Sequence, residues 1–162
     1  MWLLALVVVL GIFALTVFRG APYVPTHRRQ IQLALDQLKP NDTILDLGSG
    51  DGAILKAAAL RGHQAYGFEI NPLLCLVSWL RCLRVRHLVR ISWRDFWLVP
   101  ITADIDTVFV FAGGPFMKHL ARKLQKDTAN RAKPLQVISY GFTIPGEKPR
   151  KVVEGLYIYW YD

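Results

Sequence analysis

The stretch from Thr43 to Pro72, TILDLGSGDGAILKAAALRGHQAYGFEINP, places glycines at alternate positions 48, 50 and 52 between two apolar runs. The run DTILDL is short, apolar and ends at those glycines, which is the pattern of a buried strand entering a tight turn. The following AILKAAALRG reads as a helix closed by Gly62, and QAYGFEI as a second strand that brings Glu69 seventeen residues beyond Gly52. A strand, a glycine turn, a helix and another strand in so little chain define a crossover unit, and the sheet built from such units needs helices to cover it.

The rest of the chain continues the alternation. HRRQIQLALDQLK (27–39) carries its apolar residues on a helical stripe that Pro40 ends. PLLCLVSWLRCLRVR reads as a helix with Asn71 as its cap and Pro72 in its first turn. LVRISWRDF and DTVFVFA read as a third and a fourth strand, PFMKHLARKLQKDT as an amphipathic helix, and PLQVISYGF as a fifth strand. The tail KVVEGLYIYWYD has the aromatic alternation of one or two further strands. The expected fold is therefore α/β: a doubly wound, Rossmann-like, mostly parallel sheet over residues 27–162, with its ligand crevice at the carboxyl ends of the strands.

The turn itself constrains the ligand. Dinucleotide folds use G-x-G-x-x-G, in which backbone N–H groups and a helix N-terminus face a pyrophosphate. This chain instead reads Asp46-Leu47-Gly48-Ser49-Gly50-Asp51-Gly52. Carboxylates at both ends of so short a turn repel a pyrophosphate and suit a ligand with an ammonium group and no phosphate. S-adenosylmethionine is such a ligand, since its methionine end carries an ammonium, a carboxylate and a sulfonium. The glycines let the backbone approach its methionyl-ribose part. Glu69 is placed to accept from both ribose hydroxyls, and Asp95, at the end of the third strand, from the adenine amino group.

DLGSGDGAIL together with YGFEINP resembles the class I S-adenosylmethionine-dependent methyltransferases over most of residues 27–161. A narrower resemblance adds PYVPT, RDFW and FAGGP behind an apolar N-terminus. It is to the membrane-anchored protein-lysine N-methyltransferases that modify the ATP synthase c-subunit and the adenine nucleotide translocase. The resemblance implies cofactor contacts from Asp46, Gly48, Ser49, Gly50, Asp51 and Glu69, with Asp95 and Phe96 beside the adenine. It implies that Tyr23 to Thr26 fold over the cofactor and that Gly114 and Pro115 lie beside the transferred methyl. The N/D-P-P-Y signature of other amino-directed methyltransferases is absent, so a lysine acceptor rests on the narrower resemblance. No metal site is expected.

Residues 1–18, MWLLALVVVLGIFALTVF, contain no charged side chain and as a helix would span about 27 Å, close to the hydrocarbon thickness of a bilayer. No basic residue precedes the run, and TVFRGAPYV is a poor cleavage site, so the expectation is an uncleaved transmembrane anchor rather than a signal peptide. Arg19, Arg28 and Arg29 follow it and place the catalytic domain on the cytoplasmic face. The absence of an Arg/Ser-rich leader favours a bacterial inner membrane over the matrix side of a mitochondrial one. Residues 19–26, with two prolines, read as a stiff linker, and the resemblance implies that this segment is also the cofactor lid. Cys75 and Cys82 are too far apart along one helix to bridge and lack metal-ligand spacing, so both are read as core or near-core thiols.

The formal net charge is +8. Its densest clusters are Arg81, Arg84, Arg86 and Arg90, and Lys148, Arg150 and Lys151. Beside an anchor on the same chain, attraction to anionic headgroups explains them more economically than nucleic acid does, and no nucleic-acid partner is expected. For the acceptor, Tyr23 and Thr26 are the preferred groups to orient an amine or take its proton; His27 and His119 are read as surface residues. The first reading is an anchored methyltransferase acting on a lysine of a membrane protein. Two alternatives stand beside it: methylation of a lipid or quinone in the bilayer, and a cofactor-binding scaffold without activity.

Overall fold

The computed structural model describes Trp2, Gly11 and residues 24–162. Apart from Trp2 and Gly11, the expected span 1–18 lies outside the described residues, as does Tyr23. Among the described residues no helix is long and apolar enough to cross a membrane.

The chain runs α1 (Arg28–Leu35), β1 (Ile44–Leu47), α2 (Ala53–Leu60), β2 (Ala65–Glu69), α3 (Pro72–Arg81), β3 (Val89–Trp93), β4 (Thr107–Val110), α4 (Met117–Thr128), β5 (Leu135–Tyr140), β6 (Lys151–Val153) and β7 (Leu156–Tyr161). The strands form one sheet in the order β3-β2-β1-β4-β5-β7-β6. β1 to β5 are parallel to one another, and β7 runs antiparallel to both β5 and β6. The order reverses at β1, between β2 and β4, which is where a doubly wound sheet opens its crevice.

β1 and β4 are buried at every position, and their residues divide by parity between two cores. Ile44, Ala65, Phe109 and Ile138 meet Ile31 and Leu35 of α1 and Ile54, Leu55 and Ala58 of α2. Leu45, Leu47, Val108 and Val137 meet Met117, Leu120 and Leu124 of α4 on the other face. The buried set of α4 recurs at three- and four-residue steps, as the amphipathic reading of that segment requires. α3 begins as its sequence dictates: the Asn71 side chain accepts from the N–H groups of Leu73 and Leu74, at 2.9 and 3.4 Å, with Pro72 at the first turn. Its expected length to Arg86 is not reached. The Cys82 N–H is shared between the carbonyls of Ser78 and Trp79, and the chain tightens into a 3₁₀ turn over Leu83–Val85.

The winding is lopsided. Between β3 and β4 the only regular element is a 3₁₀ turn at Phe96–Leu98, and between β5 and β6 no helix forms, so among the described residues α4 is the one α-helix on its face of the sheet. A hollow of about 170 Å³ is left over β2 and β3, lined by Tyr66, Phe68, Arg90 and Ser92 from the sheet and by Pro100 and Thr102 from the connection. A buried ion pair fastens that connection. Lys123 Nζ lies 2.7 Å from Asp127 Oδ2 with both side chains 7 % exposed. The same ammonium donates to the Val99 carbonyl, and the same carboxylate oxygen accepts from the Ile101 N–H.

Removing one member of such a pair strands the other without compensation. Lys123→Ala should therefore lower the unfolding free energy by about 3–5 kcal/mol. The double variant Lys123→Met/Asp127→Leu should lose clearly less than the two single losses combined, as urea denaturation will read.

Candidate functional site

The three glycines of the turn all have positive φ, at 85°, 52° and 75° for Gly48, Gly50 and Gly52. The turn is held to the end of β2 by backbone bonds: the N–H groups of Gly48 and Ser49 both donate to the Phe68 carbonyl, at 2.9 and 3.0 Å. It is also held by a carboxylate. Glu69 Oε2 accepts from the Gly50 N–H and Oε1 from the Asn71 N–H, each at 2.8 Å, with the side chain buried. Glu69 thus joins the turn after β1 to the turn after β2. Each of its oxygens keeps a second lone pair for a ligand hydroxyl.

Asp46 sits on the β1 face that carries α2, with Gly67 and Phe109 as its strand neighbours. Its carboxyl is buried and makes no hydrogen bond among the described residues. Burial foremost, then the negative charges of Glu69 and Asp51, push its pKa up to about 8. A cationic ligand group placed beside this acid would favour its ionised form and so bring the pKa back down. Asp51 is committed differently: one oxygen accepts from the Ala53 N–H at 3.1 Å, capping α2, and the other pairs with Arg81 of α3 at 2.7 Å. Of the two carboxylates that flank the turn, one therefore has its charge balanced within the protein and the other does not.

Ser49 is buried, and its hydroxyl faces Gly67: a Cβ built on Gly67 would lie 2.7 Å from Ser49 Oγ and 2.5 Å from Leu55 Cδ1. What Ser49 offers the crevice is backbone. The site as read from the sequence omitted Gly67, although its position midway along a buried strand is the signal that another group approaches closely. It also omitted Arg81 and Ser78. The latter's Oγ would lie 2.2 Å from a Cβ on Gly52, so α3 is seated directly against the turn.

The remaining candidates gather at the same carboxyl edge of the sheet. Phe96 brings its ring to 3.9 Å from the Cβ position of Gly48. Asp95 caps its own 3₁₀ turn, accepting from the Trp97 N–H at 3.1 Å. Trp97 packs against Phe96, Phe116 and the edge of His119, which is exposed at the surface as expected. Gly114 and Pro115 form an exposed 3₁₀ turn just beyond β4, with Phe142 at 3.4 Å from the Gly114 Cβ position. Thr26 is half-buried two residues before α1. Arg29 pairs with Glu154 in the β6–β7 turn, which is also on the carboxyl edge, so the start of α1 is tied to the side of the sheet that carries the glycine turn. Cys82 is buried and Cys75 partly so, as expected, and burial keeps both thiols protonated, Cys75 at about 11.

The sheet order and the acid-flanked glycine turn define an α/β domain of the methyltransferase type. A solved structure with the same fold is an RNA methyltransferase from Salinibacter ruber in complex with S-adenosyl-L-homocysteine, superposing with a TM-score of 0.72 at 24% identity over 85% of this chain and 92% of that one. The chain belongs to the family of ANTKMT methyltransferase domains, whose profile matches residues 46–151. It is 36% identical over 146 residues to the ATP synthase c-subunit lysine N-methyltransferase of Xenopus laevis, covering 87% of this chain and 63% of that protein. It is 34% identical over 147 residues to the adenine nucleotide translocase lysine N-methyltransferase of Mus musculus, covering 87% and 62%. A protein-lysine N-methyltransferase of Saccharolobus islandicus matches at 30%, covering 82% and 84%. The chain thus spans a little over three fifths of the length of the first two of these relatives.

The raised pKa of Asp46 has a consequence for stability. Its folded-state value lies above the unfolded 3.8, so its contribution is full below about pH 4 and is lost as pH rises through about 8. Asp46→Asn removes that titration. Thermal melts of the ligand-free protein should show variant and wild type diverging from about pH 4 upward, with the variant ahead by at least about 1–2 kcal/mol near pH 8.

Proposed function

We propose that this protein is an S-adenosylmethionine-dependent methyltransferase that methylates a lysine side chain of a membrane protein. The observation that carries the reading is the glycine turn itself. Backbone at positive φ opens onto the crevice, Glu69 closes one side with lone pairs to spare, and Asp46 lies beneath, buried and unmatched. That donor set fits a ligand with an ammonium and vicinal hydroxyls and does not fit a pyrophosphate. Family membership supports the same class, and the activities for which the relatives are named supply lysine as the acceptor.

Asp46 and the backbone of Gly48, Ser49 and Gly50 would hold the methionine end, Glu69 the ribose, and Asp95 and Phe96 the adenine. The cofactor supplies an electrophilic methyl group on a sulfonium. Transfer of that kind needs alignment more than a covalent nucleophile. The acceptor is the difficult partner, since at a pKa of about 10.4 only about one lysine in several thousand is neutral at pH 7. The chain must therefore receive the amine in a desolvated place, orient it and take up its proton. Tyr23 and Thr26 are the groups we assign to that work, and Gly114 and Pro115 shape the wall opposite. Residues 1–18 serve in this reading as a single span that holds the domain at the cytoplasmic face, beside substrates embedded in the same bilayer.

Titration calorimetry of the full-length protein should show S-adenosylmethionine binding and no comparable binding of NAD. Glu69→Gln should weaken the former by about 1–3 kcal/mol, since the amide gives up an acceptor oxygen that a backbone N–H and a ribose hydroxyl would share. Mass spectrometry of membrane proteins from a deletion strain should show one methyl-lysine lost and restored by the wild-type chain. No change in lysine methylation would overturn the assigned acceptor.

A second comparison concerns the span. Removal of residues 1–18 should leave cofactor affinity unchanged, because no group of the turn belongs to that segment. Transfer to a membrane-embedded target should fall at least about a hundredfold as the shared membrane no longer concentrates the pair. Equal transfer by both forms would overturn the role assigned to the span.

A further inference from the structure

α3 wears its leucines on the outside. Leu73, Leu76, Val77 and Leu80 recur at helical spacing and, with Trp79 and Leu83, are between 41% and 54% exposed. A helix docked on a sheet ordinarily turns such a stripe inward. Here the inward position belongs to Ser78, fully buried, because the helix is seated on Gly52 where a methyl group would collide with the serine hydroxyl. The small residue faces the turn and the large apolar ones are left to solvent. Trp93 extends the same patch: its Nε1 donates to the Ile70 carbonyl at 2.8 Å, just before α3, and its ring is 69% exposed. An apolar surface of this extent marks an interaction site.

The charge around the patch selects the occupant. From Ile70 to Arg94 the chain has five arginines and no acidic residue. Arg84, on the 3₁₀ turn that continues α3, and Arg86, just after it, are exposed. A second copy of the chain docked face to face would bring arginine against arginine, and a nucleic acid would meet leucine where it needs polar contacts. An apolar strip with tryptophans at its margin and arginines behind it fits the interface of an anionic bilayer.

We propose that the exposed face of α3 is a membrane-docking surface that inserts its leucines among the acyl-chain ends of an anionic leaflet while Arg84 and Arg86 meet the headgroups. Because Ser78 abuts Gly52 and Arg81 pairs with Asp51, a docked α3 holds the glycine turn on its inner side, behind the helix, and fixes the orientation of the site relative to the membrane. This surface is independent of the acceptor's identity and of whether residues 1–18 span a bilayer.

The test reads α3 itself. In the full-length chain, with Cys75→Ser and Cys82→Ala as background, a nitroxide is attached through Leu76→Cys, Leu80→Cys or, on the opposite side of the sheet, Arg122→Cys. Thermal melting checks that each variant is folded. Collision rates with oxygen and with a water-soluble nickel complex are then measured on vesicles of phosphatidylcholine and phosphatidylglycerol. Labels at 76 and 80 should lie about 5–10 Å below the phosphates while the label at 122 stays in water. On phosphatidylcholine alone they should sit nearer the water, and equal depth on both vesicles would overturn the role of the arginines. Labels at 76 and 80 as water-exposed as the one at 122 would overturn the proposal. So would dipolar broadening between labels at position 76, which would make the face a contact between copies of the chain.

Discussion

The site hangs on one carboxylate. Glu69 accepts a backbone N–H from the turn after β1 and another from the turn after β2, each at 2.8 Å, in a place nearly closed to water. Backbone donors in such a place need a partner, and an ionised acceptor is the strongest one available. Without it the tip of the glycine turn at Gly50 would lose its side-chain tether, leaving the bonds to the Phe68 carbonyl, the Gly52 N–H to Ser49 carbonyl bond and the Asp51 contacts to set its shape. The residue expected to hold the ribose is thus also the residue that builds the ribose site. Loss of affinity on removing it would therefore mix a lost contact with a slackened turn.

Much of this is legible in the sequence. The alternation of short β-branched runs with alanine- and leucine-rich segments sets the element order, and Asn71-Pro72 announces the start of α3. The acid-flanked glycines identify the turn and the kind of ligand it tolerates. What cannot be read there is what depends on side chains from distant segments meeting. Asp51 looks like Asp46 in the sequence, yet Arg81, thirty residues on, makes one a capping ion pair and leaves the other a buried acid with a pKa of about 8. The lopsided winding is hidden for a related reason. ITADID and GFTIPGEKPR carry no helical period, but only the folded chain shows that one is clasped by Lys123 and Asp127 in place of a helix.

α3 is the clearest case of local pattern and tertiary context in disagreement. Its leucine spacing satisfies every rule for an inward face, and the structure turns that face out because one position, Ser78, must fit a glycine that has no room for anything larger. A single close contact outweighs the burial of several leucines when it seats the helix at the functional turn. Local rules broken in this way are a common signature of sites under functional constraint.

Gly67 carries a different kind of consequence. The space its missing Cβ leaves is shared by Ser49 from the turn and Leu55 from α2, so three segments draw on one small volume. Sequence change at these positions is therefore joint rather than independent. A larger residue at 67 becomes tolerable only in a background where 49 and 55 have already become smaller, and a chain that has made those changes can no longer return by reverting one of them. Drift through this region should leave correlated substitutions at 49, 55 and 67 as its trace, a dependence fixed by volume alone.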